Sequence, residues 1–155
     1  MTRPGLRAAH EHARHLLSFS DLRDAEKKLF ARRDHDLAAL LSLVNLAAAF
    51  HPDFSPDSLK ALEAWYLTNP TAARPAPDDQ EQLERFIGAY FGEVLVRNNS
   101  FEWFVTEYAF APGKFDIGVR RGGVAVMLTA TMGLAARPNN ARKQSLWRDY
   151  RKYAA

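Results

Sequence analysis

The chain has 155 residues, with 21 Lys and Arg against 18 Asp and Glu, a formal charge of +3, and 47% hydrophobic and 25% charged residues. That balance excludes a disordered chain, and so mild a positive excess does not by itself argue for nucleic acid. The absence of cysteine removes disulfides, thiolate metal sites and cysteine nucleophiles together; it is compatible with a reducing cytosol, so a cytoplasmic protein is expected.

The length is that of one ordinary domain, expected here over 1–155, large enough to bury a core without metal or disulfide staples. The opening stretch, MTRPGLRAAHEHARHLLSF, has arginines, but histidines and a glutamate interrupt any apolar core, so it is not a secretory signal. Leu6 to Leu17 reads as an amphipathic helix. Ser20-Asp21 caps the next helix, because a short polar side chain accepts from the free amides of a first turn. That helix runs through LRDAEKKLFARR, and Asp34 restarts it. The segment from Leu37 to Phe50 is apolar on nearly every face. It is too short to span a bilayer and is expected inside, with neighbours on several sides and no membrane insertion.

His51-Pro52 stops that helix, since proline disfavours helix at the residue before it. Ser55 and Pro56 cap and begin another. TNPTAARPAPDD carries three prolines and reads as a stiff connector, 70–78, between a helical part, 1–69, and an α+β part, 79–155. Asp78 or Asp79 starts a helix in which Leu83, Phe86, Ile87, Tyr90, Phe91 and Val94 follow the i, i+3, i+4, i+7 spacing. Gly88 and Gly92 each cost that helix about 1 kcal/mol relative to alanine, so another element is expected to approach its backbone closely. Asn98-Asn99 ends it. SFEWFVTEYAF, KFDIGVR and VAVMLTA then read as strands of an antiparallel meander joined by glycine-bearing turns. ARKQSLWRDYRKYAA reads as a basic helix capped by Asn140, with Leu146, Trp147, Tyr150 and Tyr153 as its apolar stripe.

Charge is unevenly spread. From Arg137 to the end there are six basic residues against Asp149 alone; from Asp79 to Phe110 there are six acids against Arg85 and Arg97. The basic tail and the acidic middle are expected to face each other.

The chemistry-bearing clusters are few. His12 and His15, three apart, are the candidates for metal, but the His-Glu-x-x-His pattern fails because Arg14, not histidine, lies four after His10; no metal or cofactor is assigned. His35 with Asp34 and Asp36 reads as a cap region. No nucleophile elbow and no phosphate-binding loop is present. Glu93 falls at the edge of the apolar face with Arg97 one turn later, either an edge ion pair or a carboxylate under the sheet that holds Arg97 or a ligand. In the last helix Arg148, Arg151 and Lys152 lie among aromatics, which serves either docking on the domain or contact with a nucleic-acid backbone.

AYFGEVLVRNNSFEWFVTEY, followed by GKFDIGV and GGVAVML, resembles a group of uncharacterised bacterial domains with a Gly-Glu pair on a helix, a Trp-bearing strand and two further strands. The matching residues are Tyr90, Gly92, Glu93 and Trp103, within Leu83 to Leu128. The resemblance implies a fold type and no established reaction.

The expected fold is therefore α+β: an N-terminal helical layer, a buried central helix, an antiparallel sheet of three or more strands and a closing basic helix. The leading functional expectation is a non-enzymatic protein-interaction module, immunity- or inhibitor-like, acting on a protein partner or on itself as a homodimer through an aromatic outer face of the sheet. Its binding candidates are Glu93, Arg97, Trp103, Arg148, Arg151 and Lys152. The alternatives are nucleic-acid binding through the C-terminal helix and an enzyme centred on Glu93.

Overall fold

The computed structural model describes residues 12–48, 50–68 and 77–155. His10, the first part of the helix expected over Leu6–Leu17 and most of the 70–78 connector lie outside the described residues. The architecture is α+β, with helices packed on one face of a small antiparallel sheet.

Leu17–Ser18 is not the end of a helix but a two-residue strand, β1, held antiparallel to the third strand through Leu17–Phe115 and Ser18–Lys114. Helix α1 then spans Leu22–Ala47. Asp21 caps it as expected, its side chain accepting from the Asp24 amide at 2.8 Å. The helix passes through Asp34 without restarting, and it ends at Ala48, which takes the left-handed conformation at φ 48°. Its buried residues, Ala25, Leu29, Asp36, Leu40 and Val44, form a single stripe. Leu43 is exposed and Leu46 is 86% exposed, so the apolar segment is not enclosed on several sides. An outer helix of a layer has neighbours on one side only.

Phe54, at φ 59°, turns the chain back onto the helical core. Its ring stacks on Tyr90 at 4.7 Å, and its amide donates to the Tyr90 hydroxyl at 3.1 Å. Helix α2 spans Ser58–Thr68. Ser55 caps it by accepting from the Ser58 amide at 3.2 Å, and Leu59 and Lys60 bond three residues back, so the first turn is tighter than α.

Helix α3, Pro77–Asn99, is the centre of the molecule. From Leu83 to Phe91 nearly every residue is buried. Its glycines have the expected purpose. A Cβ on Gly88 would lie 2.5 Å from the Leu128 carbonyl oxygen, and one on Gly92 would lie 2.4 Å from the Trp103 ring. The helix ends at Asn99, within the expected Asn pair, but it is Ser100 that takes the left-handed conformation, at φ 58°. Asn98 instead donates to the carbonyls of Val94 and Phe54, both at 2.8 Å.

The meander follows as β2, Glu102–Glu107; β3, Lys114–Arg121; and β4, Val124–Met127. β2 pairs along one edge of β3, from Glu102–Arg120 to Glu107–Phe115. β1 and β4 divide the other edge, β1 at residues 114–115 and β4 at 118–121. Period-2 alternation sends Phe101, Trp103 and Val105 inward with Phe115, Ile117 and Val119. The last strand is shorter than expected, because Leu128–Thr131 tightens into a 3₁₀ turn over Gly88. A second such turn is Leu134–Ala136.

The tail is two helices, not one. A short α4, Asn139–Arg142, precedes α5, Ser145–Ala154, with Gln144 at φ 52° between them. The cause of the break is Glu63 on α2. This buried carboxylate accepts from the amides of Ser145 (3.1 Å) and Leu146 (2.7 Å) and from the Ser145 hydroxyl (3.1 Å), and so caps α5 from outside. Leu146 and Tyr150 are buried in the core with α2 and α3, and Trp147 and Tyr153 pack at its edge, which is the docking role of that stripe. Glu84 on α3 does similar work one segment earlier, accepting from the amides of Gly133 (2.9 Å) and Ala135 (2.8 Å) and from the Tyr66 hydroxyl (2.9 Å). Burial first, and that carboxylate second, push the Tyr66 phenol above its ordinary value.

Among the described residues, three acids of the middle pair outside the basic tail: Glu81 with Arg14, Glu93 with Arg97, Glu102 with Arg120.

A candidate anion-binding cleft

Glu93 is fully engaged. One oxygen accepts from Arg97 Nε and the other from Trp103 Nε1, each at 3.0 Å. Arg97 also lies 3.8 Å from the Phe54 ring centre, and Arg33 lies over the Trp103 ring at 5.1 Å. These side chains form a brace from α1 and α3 to β2. Trp103 belongs to the inner face.

The outer face of the sheet carries Glu102, Phe104, Thr106, Asp116, Gly118 and Arg120. Arg120 covers the Phe104 ring at 4.7 Å and reaches Glu102 at 3.3 Å. The bare aromatic face expected from the sequence does not form, because strand alternation turns Phe101 and Trp103 inward and Arg120 covers Phe104; among the described residues Phe110, beyond the strand, is the exposed large aromatic. Arg148, Arg151 and Lys152 lie on the exposed side of α5. Trp147 beside them is already flanked by Lys60, at 4.2 Å, and Arg151, at 5.0 Å.

His12 and His15 go to different places. His12 Nε2 lies 3.0 Å from Asp116 Oδ2, and its ring packs 4.8 Å from Tyr108. His15 lines a cleft, where burial first and the Arg14 charge second lower its pKa from the ordinary value of 6.5. Among the described residues there is no cluster of three His, Asp or Glu side chains that could hold a metal ion. No helix among them is long and apolar enough to cross a membrane.

The feature that sequence reasoning missed is this cleft. Its volume is about 420 Å³, and it opens where β1 has ended and β4 has not begun. Leu29, Arg32, Arg33 and Asp36 reach it from one face of α1, and Glu81, Gln82 and Arg85 from the start of α3. Arg14, His15, Leu16 and Leu17 form the N-terminal wall; Phe115, Asp116, Ile117, Leu128, Thr129 and Met132 complete it. The unpaired stretch of β3 is satisfied locally, since Asp116 Oδ1 accepts from the Ile117 amide at 2.9 Å. Burial raises the Asp116 pKa from the ordinary 3.8, against the opposing pull of His12.

Four arginines line the cleft, and three are matched. Arg85 holds the buried Asp36 through both nitrogen–oxygen contacts of a fork, 2.8 and 3.0 Å. Arg33 bonds Asp34 at 2.8 Å, and Arg14 reaches Glu81 at 3.3 Å. Arg32 is partly buried and makes no hydrogen bond or ion pair among the described residues. Burial first and the neighbouring Arg85 charge second lower its pKa from the ordinary arginine value, with Asp36 opposing. A guanidinium stays charged in a protein, so the cleft holds one unmatched positive charge with its donors unused. The signal was present in the sequence: Arg32 and Asp36 fall in phase with the apolar stripe of Leu29, Leu40 and Val44. A charge in phase with a buried stripe needs a partner. Reading Asp34–Asp36 as a helix restart hid it.

No curated protein and no solved structure shows significant similarity to the chain. One family model, described as uncharacterised protein YwmA, matches residues 18–154. That span takes in the helical half, to which no resemblance was assigned from sequence, as well as the Gly-Glu helix, the Trp-bearing strand and the meander. The chain belongs to the YwmA family of uncharacterised proteins.

Proposed function

We propose that the protein is a non-enzymatic binding module, a single domain, whose recognition site is the cleft between α1, α3 and the β1–β3 edge, and that Arg32 takes the anionic group of what it binds. The observation that carries this reading is the partly buried Arg32 without a partner. A charge so placed loses part of its hydration and has only the attraction of Asp36, already bonded to Arg85, in return until an anion enters. The matched pair of Arg85 and Asp36 beside it fixes the wall and leaves Arg32 as the free donor. The engagement of both Glu93 oxygens speaks against an enzyme centred on that residue. The docking of Leu146 and Tyr150 accounts for the aromatics of the C-terminal helix without nucleic acid.

The test is thermal unfolding of the whole chain with carboxylates and inorganic phosphate, at constant ionic strength against chloride. A ligand at 100 times its Kd stabilises by about 2.7 kcal/mol. At least one anion is expected to raise Tm in the wild type and to lose that effect in Arg32→Gln. An anion response unchanged by that substitution defeats the assignment of the site.

A further inference from the structure

The composition of the same cleft says more about its occupant. Resting on the anion-site reading above, we infer that the ligand is an amphiphilic monocarboxylate, with its headgroup on Arg32 and an apolar body along Leu29, Phe115, Ile117, Leu128 and Met132.

Charge sets the first limit. Arg14, Arg33 and Arg85 already have carboxylates, so one positive charge remains to be matched. Asp36 and Glu81 line the cleft beside their arginine partners, so the net charge left for a ligand to match is that of Arg32 alone. A monoanion fits this field, and a phosphate dianion does not. Geometry sets the second limit, since a guanidinium fork matches the two coplanar oxygens of a carboxylate.

The apolar part of the lining sets the third. Leu29 comes from α1, Phe115 and Ile117 from β3, Leu128 and Met132 from the turn after β4. None of these side chains has a polar atom to offer a sugar or a nucleobase. The volume of about 420 Å³ lies at the small end of the range for small-molecule sites. At roughly 30 Å³ per water, it accommodates a ligand of a dozen or more non-hydrogen atoms. A medium-length carboxylic acid has that size and that division between one charged end and an apolar body.

The experiment is calorimetric titration of the full chain with acetate, hexanoate, octanoate, decanoate, decanol and inorganic phosphate. Decanoate is expected to bind one to one. Affinity is expected to rise about fourfold per methylene along the series, the value for complete burial of each. Arg32→Gln is expected to weaken decanoate binding roughly 10- to 100-fold, and Arg32→Lys by less. Decanol should bind far more weakly than decanoate. Because Arg32 has no partner to lose, these variants are expected to keep the wild-type circular dichroism spectrum. If phosphate or acetate binds as tightly as decanoate and depends on Arg32, the anion site stands and the amphiphile assignment falls. If decanoate binds equally well to Arg32→Gln, or if no anion binds at all, both fall.

Discussion

Gly88→Ala sets two well-known effects against each other. Helix propensity alone predicts that alanine in the interior of α3 stabilises by about 1 kcal/mol. The packing predicts the reverse. The new Cβ would lie 2.5 Å from the Leu128 carbonyl oxygen and 2.7 Å from Thr131 Oγ1. A carbon and a carbonyl oxygen pack at about 3.3–3.6 Å, so the turn must retreat by roughly 1 Å. It is not free to do so. Thr131 Oγ1 donates to the Glu84 carbonyl at 2.9 Å, and Glu84 holds the amides of Gly133 and Ala135 just beyond. Overpacking costs about 1–3 kcal/mol, and a weakened hydrogen bond adds about 0.5–1.5. Less the propensity gain, the net expectation is a loss of about 1–3 kcal/mol, or about 2–4 °C in Tm for each. Equilibrium urea unfolding followed by tryptophan fluorescence measures it. Gly123→Ala is the internal control, since a Cβ there meets nothing within 4 Å. A Gly88→Ala protein as stable as the wild type would refute the claim that this glycine exists for the turn.

The other expectations are as follows. Glu63→Ala leaves the first amides of α5 without an acceptor in a buried site, and should lower stability by about 2–5 kcal/mol in the same assay. Glu63→Gln, which keeps one acceptor oxygen, should cost less than Glu63→Ala. Arg32→Met should be as stable as the wild type or more so without ligand, because it removes an unmatched charge and no bond; a loss above about 1 kcal/mol would reveal a structural partner. Asp116 is buried with a raised pKa, so the folded state holds its proton more tightly than the unfolded state. Its contribution is fully favourable below the ordinary value of 3.8 and is lost as pH rises through the raised folded value. Asp116→Asn should therefore gain stability relative to the wild type across that rise, and parallel pH profiles of the two proteins would contradict the shift.

Helix α3 was legible because its burial is periodic and its glycines have a cost that only close packing explains. The meander was legible from alternation and from turns such as Gly113 and Gly122, both at positive φ. What failed was whatever depends on partners distant in sequence. The apolar run of α1 carries no mark of how many neighbours it will meet, and Leu46 turned out to face water. The break before α5 is written at Glu63, more than 80 positions away. β1 was invisible because two residues have no periodicity, and its partner Phe115 lies in the other half of the chain. The cleft inherits both difficulties. Its charged residues come from a helix read as two, a wall read as a helix and a helix start read only for its apolar face.

Residues 128 to 144 hold little regular structure beyond two 3₁₀ turns and the four-residue α4. Two glutamates on neighbouring helices nevertheless pin the main chain within and just beyond it, Glu84 at positions 133 and 135, Glu63 at 145 and 146. The instructions for the shape of this segment are therefore kept outside it. A peptide of residues 128–155 would carry the basic helix and its aromatics but neither anchor. Grafting that peptide onto another scaffold would transfer its composition and not its path. Two substitutions on α2 and α3, which leave the segment's own sequence intact, would be enough to erase that path.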